Sequence, residues 1–385
     1  MSAKLIAYRG ASIFDGERRY EDHALIVQGA RVHSIVPDAN RPHTAENIDL
    51  DGGTLAPGYV DLQVNGGDGI MFNDDPSVGT LRRMVDAHAR LGATSILPTL
   101  ITDTPDRTHA AIAAVHQAIA ENVPGIIGLH LEGPHLSILR KGAHDPDLIR
   151  PMNAGDLAVL VDAAKQLPCL KITVAPEVVT QDQIRTLNEA GAVVSLGHSN
   201  ADFNTCALAV KAGASCVTHL FNAMSQIGNR EPGLVGAALG LGAVSAGLIA
   251  DGIHVHPQTI ATALRAKAGP GRLFLVSDSM ATAGSDITGF TLNGRPIRRG
   301  NGHLTLEDGT LAGADLDLTT AIRVLTKDVD HGFVDALRMA TSLPARVIRQ
   351  PHAVGRLATG MPADMIRLSE TTQLIDVWRA GRLMA

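Results

Sequence analysis

Three short segments place acidic or imidazole side chains directly after apolar runs. They are GLHLEGPH with Glu132, SLGHSN with His198 and VTHLFNAM with His219. One carboxylate and two imidazoles make the donor set of a catalytic zinc site, in which a fourth position stays open for water. Zinc suits such a set best, and iron or another divalent metal fits it too. The chemistry that follows is activation of water against a polarised carbonyl. A further acid, Asp278, ends the apolar run LFLVS, where it can move protons for that reaction. IADGIHVHP adds Asp251, His254 and His256, and APE adds Glu177. A single imidazole at a strand end is ordinarily a hydrogen-bonded rim residue. Two of them, joined by a carboxylate that must find a partner once buried, point to a ligand set instead.

Positioning these residues requires elements that bring distant segments to one rim. Apolar strand-like runs fall at 58–64, 93–100, 126–131, 172–176, 193–196, 217–221, 245–249 and 273–277, with helical patterns between several of them. This alternation predicts an α/β fold, a parallel (β/α)8 barrel. The near-continuous apolar character of the runs suits a sheet covered on both faces. An open doubly wound sheet is disfavoured, because no G-x-G-x-x-G follows the first strand. Barrel active sites lie at the C-terminal strand ends. Glu132, Glu177, His198, His219, the Asp251/His254 pair and Asp278 are therefore expected at the ends of strands three to eight. The first strand ends in Gln63-Val64-Asn65, where metal hydrolase barrels commonly carry His-x-His. Neutral amides replace imidazole poorly, so one tightly bound metal is expected, with Gln63 and Asn65 as supporting groups. Strand and turn patterns at both ends predict a small β-sandwich built from residues 1–55 and 350–385 around a barrel at 56–349, with an inserted hairpin at about 285–310.

The bulk composition narrows the partners. The chain has 385 residues, 45% of them hydrophobic, 3% aromatic, and a net charge of -6. Without a basic block or stacking aromatics, a nucleic-acid surface is not expected. No signal peptide or long apolar span is read, so the expected location is the cytoplasm and not a membrane. Cys169, Cys206 and Cys216 show no paired spacing and are expected to be buried, reduced thiols. No phosphate-cradling G-x-x-x-x-G-K-[ST] loop occurs. Arg230, His254 and the Asn222-Ala223 backbone lie near the sixth and seventh strand ends and are candidates for holding an anion. Arginine's planar fork suits phosphate.

At these residues the chain resembles the N-acetylglucosamine-6-phosphate deacetylases of the amidohydrolase superfamily. The resemblance rests on LAPGYVDLQVNGG, GLHLEGPHLS with KGAH, SLGHS, VTHLFNAMS, GLIADGIHVHP, LVSDSMA, TLAGADL and GRLATGMPADM, from about Leu55 to Met365. It implies a metal on Glu132, His198 and His219, with Asp278 as the acid/base. Ala143 and His144 would contact substrate, and Asn222, Ala223, Arg230, Asp251 and His254 would hold the sugar phosphate. Leu311, Ala312 and Gly313 would surround the acetyl group. The resemblance further implies a homodimer in which Arg230 reaches the neighbouring site. His135 takes no role, and Ser277 and Ser279 depart mildly from the pattern. The implied reaction is hydrolysis of N-acetylglucosamine 6-phosphate in amino-sugar catabolism. Its N-acetylgalactosamine epimer is the nearest alternative. Deacetylation of N-acyl amino acids or cyclic-amide hydrolysis is disfavoured by the anion-holding residues. A non-catalytic sugar-phosphate-binding barrel is disfavoured by the intact Glu132, His198, His219 and Asp278.

Overall fold

The computed structural model describes residues 4–384, so the ends of the expected β-rich termini, residues 1–3 and 385, lie outside the described residues. Eight parallel strands form the central sheet. In chain order they are Tyr59–Val64, Ala93–Ile101, Leu129–Glu132, Leu170–Val174, Val193–Leu196, Cys216–Val217, Ser245–Leu248 and Leu273–Leu275. Each pairs with its sequence neighbour in parallel register. Helices fill the connections and bury their apolar faces on the barrel. Val78–Arg90 is one example. Ser77 caps it by accepting from the Thr80 N–H, and Leu81, Met84, Val85 and His88 share its buried face at helical spacing.

The strands curl until the first meets the last. That seam is closed by the Val64–Ser279 bridge and by a side chain. The buried carboxyl of Asp61 accepts from the Ser277 N–H at 3.2 Å and from the Gln63 N–H at 3.2 Å. It thus meets backbone donors from both sides of the seam. Side chains alternate along a strand, so Asp61 and Gln63 share the inward face. Other polar residues inside the barrel form a chain. His130 meets Thr99 at 3.2 Å and Thr173 at 2.8 Å, and Thr218 meets Thr173 at 2.7 Å and Ser195 at 2.6 Å.

Strands from both ends of the chain share one sheet. Its order is 382–383, 374–379, 365–368, 54–57, 12–14, 19–20. A second sheet orders 31–37, 23–28, 5–9, 46–49. Tyr8, Ile13, Leu25, Leu55, Met365 and Trp378 pack between them. The insert is larger than the expected hairpin. It is a four-stranded antiparallel sheet, Gly289–Leu292, Arg295–Gly300, His303–Thr305 and Leu311–Ala314. The physical reason lies in three turn pairs, Asn293-Gly294, Asn301-Gly302 and Asp308-Gly309. Both residues of each Asn-Gly pair have positive φ, as a tight two-residue hairpin turn requires. Four of the expected strands, the third, fourth, sixth and eighth, also start late or stop early by two residues or more. The sixth ends at Val217, because the backbone leaves extended geometry at His219 and Phe221, φ 27° and 78°.

Burial raises the Asp61 pKa from 3.8 to about 7, against the hydrogen bonds from Ser277 and Gln63. Between those values the folded chain holds a proton that the unfolded chain has released. Stability is therefore expected to fall as pH rises from about 4 to 7, by roughly 4 kcal/mol at most for this group. Asp61→Asn should flatten that part of the profile. Thermal melts of both proteins at pH 5 and pH 8 check this, since loss of charge elsewhere is common to the two. An unchanged difference between the two pH values in the variant would clear Asp61 of the effect.

Candidate active site

Glu132 is the last residue of the third barrel strand, and His198 and His219 lie two residues beyond the fifth and sixth. All three are buried, and their ligand atoms converge. Glu132 Oε1 is 3.0 Å from His219 Nε2 and 3.3 Å from His198 Nε2, and the two Nε2 atoms are 3.1 Å apart. His198 Nδ1 donates to the Arg140 carbonyl at 2.8 Å, which leaves a lone pair on Nε2. His219 Nδ1 is buried without a partner. Lone pairs and a carboxylate oxygen aimed at one point fit a small divalent cation of the zinc type. Burial opposes ionisation of Glu132, but the adjacent His198 and His219 imidazoles outweigh it and hold its pKa well below the usual range.

Asp278 stands beside this group. Asn65 Nδ2 donates to its Oδ1 at 2.8 Å and Gln63 Nε2 at 3.0 Å. Gln63 Nε2 also reaches both oxygens of Glu132 at 3.2 Å. The amides that stand in the His-x-His slot thus aim their donors at the two carboxylates. Their own oxygens, Gln63 Oε1 and Asn65 Oδ1, are left buried without partners. With both donors on Oδ1, Asp278 Oδ2 is the oxygen left for chemistry. Burial and the neighbouring Glu132 charge raise the Asp278 pKa, making it a better proton acceptor than an ordinary carboxylate. Its backbone is clamped from both sides. Asn65 N–H donates to the Ser279 carbonyl, and Ala314 N–H of the insert donates to the Asp278 carbonyl, each at 2.9 Å.

The rim concentrates backbone strain. His198, His219, Phe221, Ala223 and Asp278 all have positive φ, at 46°, 27°, 78°, 49° and 49°. For Phe221 and Ala223 this conformation costs free energy.

A cavity of about 390 Å³ opens above the group. It is lined by Asn65, Glu132, Ala143, His144, His198, His219, Asn222, Ala223, His254, Asp278, Leu311 and Gly313, all expected from the sequence. His254 Nδ1 donates to Asp251 Oδ2 at 2.5 Å, so Asp251 sits behind the lining and orients that ring. Ala312 is buried within the insert. Arg230 is exposed and lies outside this chain's own cavity. His256 accepts from the Gln258 N–H and caps the helix Pro257–Ala266. Glu177 accepts from Ser199 Oγ at 2.7 Å and the Asn200 N–H at 2.6 Å, bracing the loop that carries His198. Sequence reasoning missed Arg140, Met280 and Thr310 in the lining. Arg140 falls inside the quoted run from LEGPHLS to KGAH, which was the available signal.

Known proteins of similar sequence and fold place the chain in a family. A model described as "Amidohydrolase family" matches residues 54–384, and one described as "NagA composite domain" matches residues 7–55. The chain is 44% identical to an N-acetylgalactosamine-6-phosphate deacetylase of Shewanella sp. (strain ANA-3), covering 90% of this chain and 86% of the relative. It is 34% identical to an N-acetylglucosamine-6-phosphate deacetylase of Haemophilus influenzae, over 94% of each. A crystal structure of N-acetylglucosamine-6-phosphate deacetylase from Pasteurella multocida superposes with a TM-score of 0.94 at 34% identity, covering 99% of this chain and 100% of that one. With its barrel, its strand-end ligand group and a match over most of its length, the chain belongs to the amidohydrolase family.

Proposed function

We propose that the protein is a metal-dependent deacetylase that hydrolyses N-acetyl-D-glucosamine 6-phosphate to D-glucosamine 6-phosphate and acetate, in amino-sugar catabolism. The observation that carries this reading is the convergence of Glu132, His198 and His219 beside Asp278 under one cavity. The 34% identity to the Haemophilus influenzae deacetylase over nearly the whole chain supports the substrate. Glu132, His198 and His219 would hold one divalent metal, zinc in our reading. Bound there, a divalent metal supplies Lewis-acid polarisation and makes water acidic enough to deprotonate near neutral pH.

The chain's own residues do the rest. Asp278 Oδ2 accepts the proton of the attacking water. As the carbon–nitrogen bond breaks, it returns that proton to the departing amine, so one carboxylate serves as base and then acid. Gln63 and Asn65 keep the Asp278 carboxylate oriented through Oδ1. His254, Asn222 and Ala223 hold the phosphate end, and Leu311 and Gly313 border the acetyl end. Binding the phosphate remotely fixes the amide against the water. We further propose a homodimer, in which the exposed Arg230 completes the neighbour's phosphate site. We also propose a cytoplasmic location, where a phosphorylated sugar would be met. No described helix is long and apolar enough to cross a membrane. The Shewanella relative, at 44% identity, favours the galacto epimer as the second reading.

Acetate release by zinc-loaded protein tests the proposal. Fast release from N-acetylglucosamine 6-phosphate and little from the unphosphorylated sugar is expected. A higher kcat/KM on N-acetylgalactosamine 6-phosphate would transfer the assignment to the epimer, and no release from any of the three would end the deacetylase reading. Asp278→Asn should keep its metal and lose turnover by roughly 10²–10⁴-fold. Near-full activity in that variant would strip Asp278 of its role. His198→Ala should bind little metal by elemental analysis, and stoichiometric metal there would remove His198 from the ligand set.

A further inference from the structure

A sugar phosphate carries nearly two negative charges at neutral pH, yet the cavity that would receive it is poor in cations. Among the residues lining it, Arg140 is the one Arg or Lys. Glu132 and Asp278 add negative charge there, and His254 is paired with the Asp251 carboxylate. Arg230 lies outside this chain's cavity and could serve such a site only from a neighbouring copy. Arginine stays charged at any working pH, and its planar fork matches phosphate oxygens two at a time.

Arg140 ends the short helical turn Ile138–Arg140. That turn is stitched to the His198 loop from both directions. Ser137 N–H donates to the His198 carbonyl at 2.9 Å, and the Arg140 carbonyl accepts from His198 Nδ1 at 2.8 Å. Two residues on, a Cβ added at Gly142 would stand 3.3 Å from His198 Cε1 and 3.9 Å from Ala223 Cβ. The segment therefore crosses over His198 and meets the wall formed by Asn222 and Ala223. In the deacetylase reading that wall, with His254, is the phosphate end. The side chain is fixed as well. Arg140 Nε donates to Asn200 Oδ1 at 2.9 Å, and the Asn200 N–H is held in turn by Glu177 Oε1 at 2.6 Å. A neutral amide thus orients the guanidinium without cancelling its charge. Anchoring through Nε leaves both terminal NH2 groups, which take no hydrogen-bond partner among the described residues, for an incoming anion. The neighbouring cation, Lys141, does not line the cavity and lies instead within electrostatic reach of Asp308. We infer that Arg140 is a specificity-determining residue that grips the substrate's phosphate from the same chain, with Asn200 and Glu177 holding its guanidinium in place. That the anion is a sugar phosphate rests on the deacetylase reading; the cation beside the Asn222–Ala223 wall does not. Selection for a phosphorylated sugar is then a property of one chain, to which a partner copy can add.

Zinc-loaded Asp278→Asn protein should bind substrate without turning it over, so calorimetric titration with N-acetylglucosamine 6-phosphate and with N-acetylglucosamine reads the grip. Adding Arg140→Met should weaken binding of the phosphorylated sugar by roughly ten- to a hundredfold, the worth of hydrogen bonds to a charged group, and bring the two sugars closer in affinity. Arg140→Lys should recover part of the loss, because it restores the charge without the fork. Asn200→Ala should lose less than Arg140→Met, because it only frees the guanidinium. Methionine keeps the backbone carbonyl that holds His198, so metal content by elemental analysis should match the parent. An unchanged affinity for the phosphorylated sugar in Arg140→Met, an equal loss for both sugars, or metal loss accompanying the weakened binding would overturn the assignment, as would a parent that binds no phosphorylated sugar. A selective loss in Arg140→Met, in a protein whose Asp278-bearing form releases no acetate, would leave the anion grip standing and sink the deacetylase reading alone.

Discussion

Two carboxylates, Glu132 and Asp278, are buried at one strand-end rim, and a single amide group, that of Gln63, donates to both. Like charges brought together out of water repel strongly, and each needs compensation. Glu132 takes it from two imidazoles, Asp278 from Asn65, and Gln63 spans the gap between them. The two acids therefore part in character. Glu132 is held strongly acidic, while Asp278 is pushed toward basicity. That separation is what a ligand and a proton carrier require of a neighbouring pair. The unpartnered oxygens of Gln63 and Asn65 are the cost of aiming both amides this way.

The barrel beneath is organised to hold that rim. Its interior carries a chain of hydroxyls and His130 instead of an apolar filling, and Lys171 lies buried against His130 at 3.4 Å. Burial pushes the Lys171 pKa down. Asp61 closes the seam between the first and last strands, two residues below Gln63. Seam and site are thus parts of one inward-facing column on the first strand. The left-handed backbone at His198, His219 and Asp278 is tolerated because strands, loops and the insert fix these segments from several sides.

Much of this could be read from the sequence, for physical reasons. Apolar runs with polar terminal residues announce barrel strands and the rim they share. Glu132, His198, His219 and Asp278 therefore emerged together, as did the relation of Gln63 and Asn65 to the site. The rest depended on things that spacing does not encode. The insert exceeds the expected hairpin because three turn pairs, not one, fold it into four strands. Thr102, whose hydroxyl lies 2.8 Å from His144 Nδ1, was passed over because it bears no charge, although it directly follows the second strand. Arg230 has a residue type suited to phosphate, yet its placement depends on backbone direction beyond Met224, and within one chain it faces solvent. Asp251 carries charge, and only its bond to His254 reveals that it stands one layer behind the cavity.

The insert, Gly289 to Ala314, is one uninterrupted stretch of sequence, and it alone contributes Leu292, Thr310, Leu311 and Gly313 to the cavity wall. Glu132, His198, His219 and Asp278 all lie before it in the chain. Its interior packs on Met71, Ile101 and Met280 instead of on the ligand side chains. Changes at Leu292, Thr310 or Leu311 can therefore remodel the wall that meets the substrate, provided Ala314, whose N–H holds the Asp278 carbonyl, keeps its place. The fold separates the inheritance of selectivity from the inheritance of reactivity, so new preferences among acylated sugars can arise from changes in a single loop-like cassette.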